Sequence, residues 1–152
     1  MRLAILIIGQ QDSGKTSTIK HLVNSYSDKS LKVMRAGWQY IFLNSIFKYL
    51  QLNFFCVPAS PTETKIKLSD RFSESIPEVL IVAEQLNGFN YQNTINFLNA
   101  NRYNIITYNL SNVNGTSDWD RFDAKNKTIK LDNRVNQIIS DIKLFIRANG
   151  II

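Results

Sequence analysis

The chain has 152 residues, of which 44% are hydrophobic and 20% are charged, and its formal net charge is +6. These proportions are those of one globular domain, residues 1–152, and argue against a disordered chain. The basic residues are scattered, so the charge suits an anionic ligand, and nucleic acid is not an expected partner. Cys56 is the only cysteine, which excludes a disulfide within this sequence, and its apolar neighbours predict a buried structural thiol.

The first predicted element is the apolar run from Leu3 to Ile8, which indicates a buried parallel strand. The run is too short to span a membrane, and it leads directly into a glycine-containing loop. We therefore interpret it neither as a signal peptide nor as an anchor, and we expect a cytoplasmic protein without a membrane partner.

The next eight residues, Gly9-Gln-Gln-Asp-Ser-Gly-Lys-Thr16, fit the Walker A pattern G-x-x-x-x-G-K-[ST] at every fixed position. The two glycines let the backbone curl around an anion, and amide N–H groups then point at phosphate oxygens. Lys15 adds a positive charge near the β and γ phosphates, and Thr16 offers a hydroxyl to Mg²⁺. The alternative is a glycine-containing strand-to-helix turn with an accidental lysine. The predicted nucleotide contacts are Gly9, Gln10, Gln11, Asp12, Ser13, Gly14, Lys15, Thr16 and Ser17.

The chain from residue 15 to residue 57 predicts a helix, a short strand and an aromatic segment. Apolar residues at helical spacing indicate a helix over 15–26, and His21 lies off that stripe, exposed or partly covered. Residues 31–35 favour a second strand. In the aromatic segment, residues 37–57, a helix over 40–50 is compatible with the spacing and 52–57 reads as a strand. Its aromatic rings favour core packing, and base stacking is the alternative.

Residues 62–77 are polar and predict a mobile loop, in which Arg71 is the residue of interest. A hydrophobic strand over 78–84 follows and ends in Glu84. This is the place for the Walker B acid, a carboxylate at the end of a strand beside the phosphate loop that holds Mg²⁺ directly or through water. The alternative is a buried strand that ends in an exposed glutamate.

The last part of the chain predicts a helix over 91–101, a strand over 103–109 and a polar loop over 110–127. Trp119 and Arg121 lie among acidic residues of this loop, which is either a lid or switch or a solvated connection. Residues 128–131 favour a short strand, with Asp132 as the N-cap of a closing helix that ends at Gly150.

The residues Gly9 to Thr16, together with Glu84, make the chain resemble the P-loop NTPase superfamily, and the order of the later elements looks most like small P-loop kinases. The resemblance implies a three-layer α/β/α sandwich with a mostly parallel sheet and a ligand at the carboxyl ends of the strands. It implies ATP as the nucleotide and Mg²⁺ held by Thr16 and Glu84. GTP is less favoured because the motif N/T-K-x-D is absent. The implied catalytic residues are Lys15, Glu84 and Arg121.

Two classes of function remain open at this point. The first is an ATP-dependent kinase, in which the aromatic segment helps to form the pocket of a small-molecule or nucleotide acceptor. The second is a nucleotide-dependent switch or slow NTPase, in which loop 62–77 or loop 110–127 responds to the γ-phosphate and is recognised by a partner protein.

Overall fold

The computed structural model describes residues 1–44, 49–72, 74–110 and 118–150, and of residue 49 only the backbone. Within these ranges the chain is an α/β protein with a five-stranded mixed sheet. In chain order its strands and helices are β1 (Arg2–Ile8), α1 (Lys15–Tyr26), β2 (Gly37–Asn44), β3 (Tyr49–Val57), α2 (Pro61–Thr64), a 3₁₀ turn (Leu68–Arg71), β4 (Val79–Glu84), α3 (Tyr91–Ala100), β5 (Tyr103–Asn109) and α4 (Lys127–Asn149).

The strands lie in the order β2-β3-β4-β1-β5. β1 pairs in parallel with both β4 and β5, and β3 pairs in parallel with β4, whereas β2 runs antiparallel to β3 at the edge. In this register Ile8 lies between Glu84 and Asn109. The carboxyl ends of β4, β1 and β5 therefore lie side by side, where the loop after β1 begins.

Hydrophobic clusters cover both faces of β1. Its odd-numbered residues pack with the buried faces of α1 and α4, and its even-numbered residues pack with α3 and the 3₁₀ turn. Leu3 to Ile8 are all at most 3% exposed. A strand that is buried on both faces reads as a continuous apolar run, which is why the sequence predicts β1 correctly.

Three predicted elements are wrong. Residues 31–35 form no strand. Residues 40–44 and 49–50 belong to β2 and β3, and the other residues of that predicted helix, 45–48, lie outside the described part of the chain. Residues 128–131 belong to the first turns of α4 and not to a strand. Asp132 therefore lies inside the helix and is not its N-cap; its Oδ1 lies 2.6 Å from Nε2 of His21.

Other predicted elements are confirmed to within a few residues: β1, α1, the strand over 52–57, β4, α3, β5 and the closing helix. Cys56 is fully buried, as predicted, and burial raises the pKa of its thiol to about 12. The segment predicted as a loop over 62–77 contains most of α2 and the whole 3₁₀ turn. Among the described residues, no helix has the length and the apolar character needed to cross a membrane.

Candidate functional site

The loop between β1 and α1 has a backbone shape that suits an anion. Asp12 and Gly14 both adopt left-handed conformations, with φ of 62° and 90°. Left-handed residues that alternate with ordinary ones turn N–H groups toward one side of the chain, which produces a concave nest. Since α1 begins directly after Gly14, the unpaired N–H groups of its first turn add to the same positive region.

Side chains around this loop leave no room for residues other than glycine at its two fixed positions. A Cβ atom on Gly9 would lie 2.4 Å from Ser13 Oγ and 2.7 Å from Leu110 Cδ1. A Cβ atom on Gly14 would lie 2.6 Å from Cε1 of Phe122, in a left-handed backbone that L side chains rarely adopt. The close packing of Leu110 and Phe122 thus explains why both glycines are needed.

A cavity of about 330 Å³ opens over this loop. Pockets for small ligands measure about 300 to 1,000 Å³, so the cavity is large enough for the phosphate part of a nucleotide. We call it the loop cavity. Its walls are a continuous stretch of the loop and α1, with Glu63 and Phe122 added from other parts of the chain: Gln11, Asp12, Ser13, Gly14, Lys15, Thr16, Ser17, Glu63 and Phe122.

Lys15 lines this cavity, and its ammonium group is hydrogen-bonded to the backbone of the loop. Nζ donates hydrogen bonds to the carbonyl oxygens of Gly9, at 2.8 Å, and Gln10, at 2.9 Å. The side chain is 5% exposed, and its third neighbour is Glu63, with Oε1 at 3.6 Å from Nζ. Burial lowers the pKa of Lys15, and the charge of Glu63 opposes that shift. The lysine is therefore positioned by two carbonyls while its charge faces a carboxylate.

Ser13, Thr16 and Ser17 carry hydroxyl groups in the lining of the cavity. Ser13 Oγ is buried and has no hydrogen-bond partner among the described residues. Thr16 Oγ1 donates to the carbonyl oxygen of Pro58 at 2.7 Å. Because that bond uses the hydroxyl proton, the lone pairs of the Thr16 oxygen stay available to a cation.

Glu63 is a residue of the cavity that the sequence analysis missed. It lies on α2, whose first turn is capped by Ser60: Ser60 Oγ accepts a hydrogen bond from the Glu63 N–H at 3.1 Å. Gln85 Nε2 donates to Glu63 Oε1 at 2.7 Å and holds the carboxylate beside Lys15. The sequence carries a signal for this helix, because Ser60-Pro-Thr-Glu63 fits the capping-box pattern with proline at the first helical position.

Glu84 ends β4, as predicted, but its carboxylate is enclosed by α2 and α3. Its side chain is fully buried, so the alternative of an exposed glutamate is wrong. Oε2 accepts from Thr94 Oγ1 at 2.7 Å, and Oε1 accepts from the N–H of Gln85 at 2.9 Å and from Thr62 Oγ1 at 3.3 Å. Burial raises the pKa of the carboxyl group, and these hydrogen bonds oppose the shift. Glu84 does not line the described loop cavity.

The donor groups of the cavity fit Mg²⁺ held mainly by phosphate and water. Mg²⁺ takes one or two protein oxygen ligands in such sites, and Thr16 and Glu63 both line the cavity. Among the described residues, no group of three or more His, Cys, Asp and Glu side chains is arranged to hold a metal ion by itself. Sequence analysis predicts Thr16 and Glu84 as the Mg²⁺ ligands. The structure adds Glu63 as a second candidate carboxylate, and its Oε1 lies 3.6 Å from Nζ of Lys15.

Arg121 is exposed and lies outside the loop cavity, whereas its neighbour Phe122 forms part of the cavity wall. Residues 111–117 of the predicted lid lie outside the described part of the chain. Trp119, which was predicted to be in the same loop, stacks on Tyr108 at 4.5 Å between ring centroids. The described end of loop 110–127 is therefore packed against β5 and the phosphate loop.

Arg134 is the arginine that the structure brings to the base of the loop. It is 2% exposed and donates to Thr18 Oγ1 at 3.0 Å and to the carbonyl oxygen of Asp120 at 2.5 Å. Its guanidinium group lies 5.0 Å from the ring centroid of Phe122 and 5.4 Å from that of Trp119. Burial lowers its pKa to about 10. In the sequence, Arg134 lies on the apolar stripe of the closing helix, and a charged residue at such a position is the signal from which a buried arginine could have been predicted.

The aromatic segment does not reach the loop cavity through any described residue. Its rings lie on β2 and β3, with Trp38 exposed, Phe54 buried in one core cluster and Phe55 packed against the other. Phe54 and Phe55 thus pack in the core, as predicted for the aromatic segment, whereas Trp38 does not. Phe47 and the rest of 45–48 lie outside the described residues.

Comparisons with known proteins give no relative for this chain. No protein-family model matches it, and neither a curated protein nor a solved structure is similar to it. Functional inference therefore depends on the motif and on the geometry described above.

Proposed function

We propose that the chain binds a nucleoside triphosphate at residues 9–17 and is a P-loop NTPase with a three-layer α/β/α arrangement. The observation that carries the proposal is the loop cavity, whose walls combine the left-handed loop, the first turn of α1 and Lys15. Backbone N–H groups, a helix N-terminus and an ammonium group all favour phosphate oxygens. The Ser13 hydroxyl, which has no hydrogen-bond partner within the described part of the chain, adds one more donor beside them.

Mg²⁺ would neutralise negative charge on the β and γ phosphates in such a site. Thr16, whose oxygen keeps its lone pairs, and a carboxylate of the cavity lining, Glu63 or Asp12, would hold it. Glu84 supports them from behind: it accepts a hydrogen bond from Thr62, the residue before Glu63.

Within this class, the geometry favours a nucleotide-dependent switch whose responsive element is the segment of residues 58–64. Pro58 accepts from Thr16, Thr62 donates to Glu84, and Glu63 faces Lys15. A γ-phosphate would compete with Glu63 for the ammonium group of Lys15. Triphosphate and diphosphate would therefore stabilise different positions of this segment, which is the requirement for a switch.

A kinase is the second candidate, and Glu63 is the observation that favours it. A carboxylate in the phosphate cavity is able to accept a proton from an acceptor hydroxyl during transfer. The acceptor would then enter beside α2. Neither Arg121 nor the described rings of the aromatic segment would contribute, because they do not line this cavity.

The proposal is tested by calorimetric titration of ATP and GTP with and without Mg²⁺. Lys15→Met should weaken triphosphate binding by about tenfold to a hundredfold, since a charge-assisted hydrogen bond contributes about 1.5 to 3 kcal/mol. Lys32→Met is the matched control, because Lys32 is an exposed lysine outside the cavity. Equal nucleotide affinities of the wild type and a folded Lys15→Met variant would contradict nucleotide binding at this loop.

Two measurements separate the switch from the kinase. A switch should change the hydrogen-exchange protection of residues 58–64 between a non-hydrolysable triphosphate and the diphosphate. A kinase should consume ATP faster in the presence of a metabolite that appears as a phosphorylated product. Product formation without a change in protection would favour the kinase over the switch.

A further inference from the structure

A second cavity, of about 220 Å³, lies toward the opposite end of the sheet from the phosphate loop. We call it the aromatic cavity. One of its walls is Phe55, which pairs with Leu80 at the start of β4, whereas Glu84 marks the end of β4 beside the loop. Four residues of strand separate these two levels, which is about 13 Å. The aromatic cavity is therefore distinct from the site proposed for nucleotide.

Three aromatic rings form the apolar walls of this cavity. Trp38 meets Phe55 edge to face, with centroids 5.7 Å apart, and Phe55 meets Phe72 in the same way at 4.9 Å. Phe55 and Phe72 pack against the core, but Trp38 stays 59% exposed. The indole thus offers exposed aromatic area to a ligand.

Arg71 supplies the polar wall. Its Nε is buried and has no hydrogen-bond partner among the described residues. No ion pair of Arg71 is formed within those residues either: Glu74 lines the same cavity without coming within 4.0 Å of the guanidinium group. Burial also lowers the pKa of Arg71. A buried N–H donor without an acceptor is destabilising, and a ligand that supplies an oxygen removes the cost.

We propose that the aromatic cavity binds a small aromatic carboxylate, with its ring against Trp38 and its carboxylate on Arg71. The planar guanidinium group matches a carboxylate with two parallel hydrogen bonds. The volume admits one small ring system and not a whole nucleotide. The negative charge of Glu74 on the lining disfavours a doubly charged phosphate more than a singly charged carboxylate.

The test uses the full chain labelled with ¹⁵N and follows the indole N–H of Trp38 and the Nε–H of Arg71 by NMR. Three probes of similar shape are titrated: phenylacetate, the neutral 2-phenylethanol, and phenyl phosphate. Phenylacetate should give saturable shifts at both groups, and 2-phenylethanol should bind at least tenfold more weakly. Equal binding of these two probes would overturn the assignment of a carboxylate, and tighter binding of phenyl phosphate would reassign the cavity to phosphate esters.

Variants locate the binding. Arg71→Gln should weaken phenylacetate at least tenfold, whereas Arg147→Gln, at an exposed arginine in the last turn of α4, should leave it unchanged. Trp38→Leu provides a second variant at an exposed position, and it should also weaken the ligand. Lys15→Met should bind phenylacetate with wild-type affinity even if it no longer binds nucleotide. A failure of the nucleotide proposal is therefore distinguishable from a failure of the proposal for the aromatic cavity. Wild-type affinity in both Arg71→Gln and Trp38→Leu would refute this site.

Discussion

Replacement of Glu63 by glutamine tests whether this carboxylate competes with nucleotide phosphate for Lys15. Glutamine has nearly the same shape, and its amide oxygen is able to accept the hydrogen bond that Gln85 gives to Glu63 Oε1. The backbone N–H of residue 63 also keeps its bond to Ser60. The substitution therefore removes the negative charge while α2 keeps its capping contacts.

The distance between Lys15 Nζ and Glu63 Oε1, 3.6 Å, sets an upper limit on the effect. With an effective dielectric constant of about 20, Coulomb's law gives an attraction of about 4.6 kcal/mol at that distance. The Glu63 side chain is 29% exposed, so solvent screening and side-chain entropy reduce the net value toward that of surface pairs, about 1 kcal/mol. This corresponds to about fivefold tighter binding of triphosphate by Glu63→Gln.

The assay is calorimetric titration of ATP in EDTA, where no metal contributes. Glu78→Gln is the matched control, because Glu78 precedes β4, is 62% exposed and lies away from the loop cavity. Addition of Mg²⁺ should reduce or reverse the gain if Glu63 also holds the cation. Unchanged or weaker binding of ATP by Glu63→Gln in EDTA would refute the competition, whatever happens with Mg²⁺.

Three further changes examine other parts of the site. Gly14→Ala should lower nucleotide affinity more than tenfold in titration, because its Cβ atom would lie 2.6 Å from the ring of Phe122 in a left-handed backbone. Burial raises the folded-state pKa of Glu84, so the free energy of unfolding of the wild type should fall as pH rises from about 4.5 through that pKa. Urea unfolding of Glu84→Gln over the same pH range should not show this fall. Arg134→Gln should lower the free energy of unfolding by about 2 to 4 kcal/mol, because the buried Thr18 hydroxyl and the carbonyl of Asp120 lose a charged donor, whereas Arg147→Gln should change it by less than about 0.5 kcal/mol.

The predictable elements are those whose apolar pattern has one interpretation. β1 and β4 are buried on both faces and read as unbroken hydrophobic runs, and α1 and α3 carry apolar residues at helical spacing. β2 and β3 are harder to predict, because their mixture of aromatic, aliphatic and polar residues shows neither strict alternation nor a clean helical stripe. The pairing of β2 with β3, and of β3 with β4 about 25 residues further along the chain, decides the outcome.

The residues of the candidate site also fall into a predictable set and a set that the sequence does not reveal. The Walker A loop is contiguous, so a local pattern identifies its residues. Glu63, Phe122 and Arg134 reach the loop from elements that lie about 50 to 120 residues further along the chain, and no spacing rule predicts such contacts. The sequence places Arg121 in the loop after β5, but only the fold shows that Phe122 lines the cavity and that α4 supplies the buried guanidinium group of Arg134.

The charges around the loop between β1 and α1 lead us to expect that segment 58–64 responds first to a bound phosphate. Lys15 faces Glu63, while Arg134 is compensated below the loop by a carbonyl oxygen and two aromatic rings. A bound phosphate cannot displace those buried contacts without disturbing the core. It is able to replace Glu63, which is partly exposed and lies on a helix of one turn. Glu84 is fixed by three hydrogen bonds and is not free to follow. The arrival of phosphate should therefore move α2 before it moves any other element of the site.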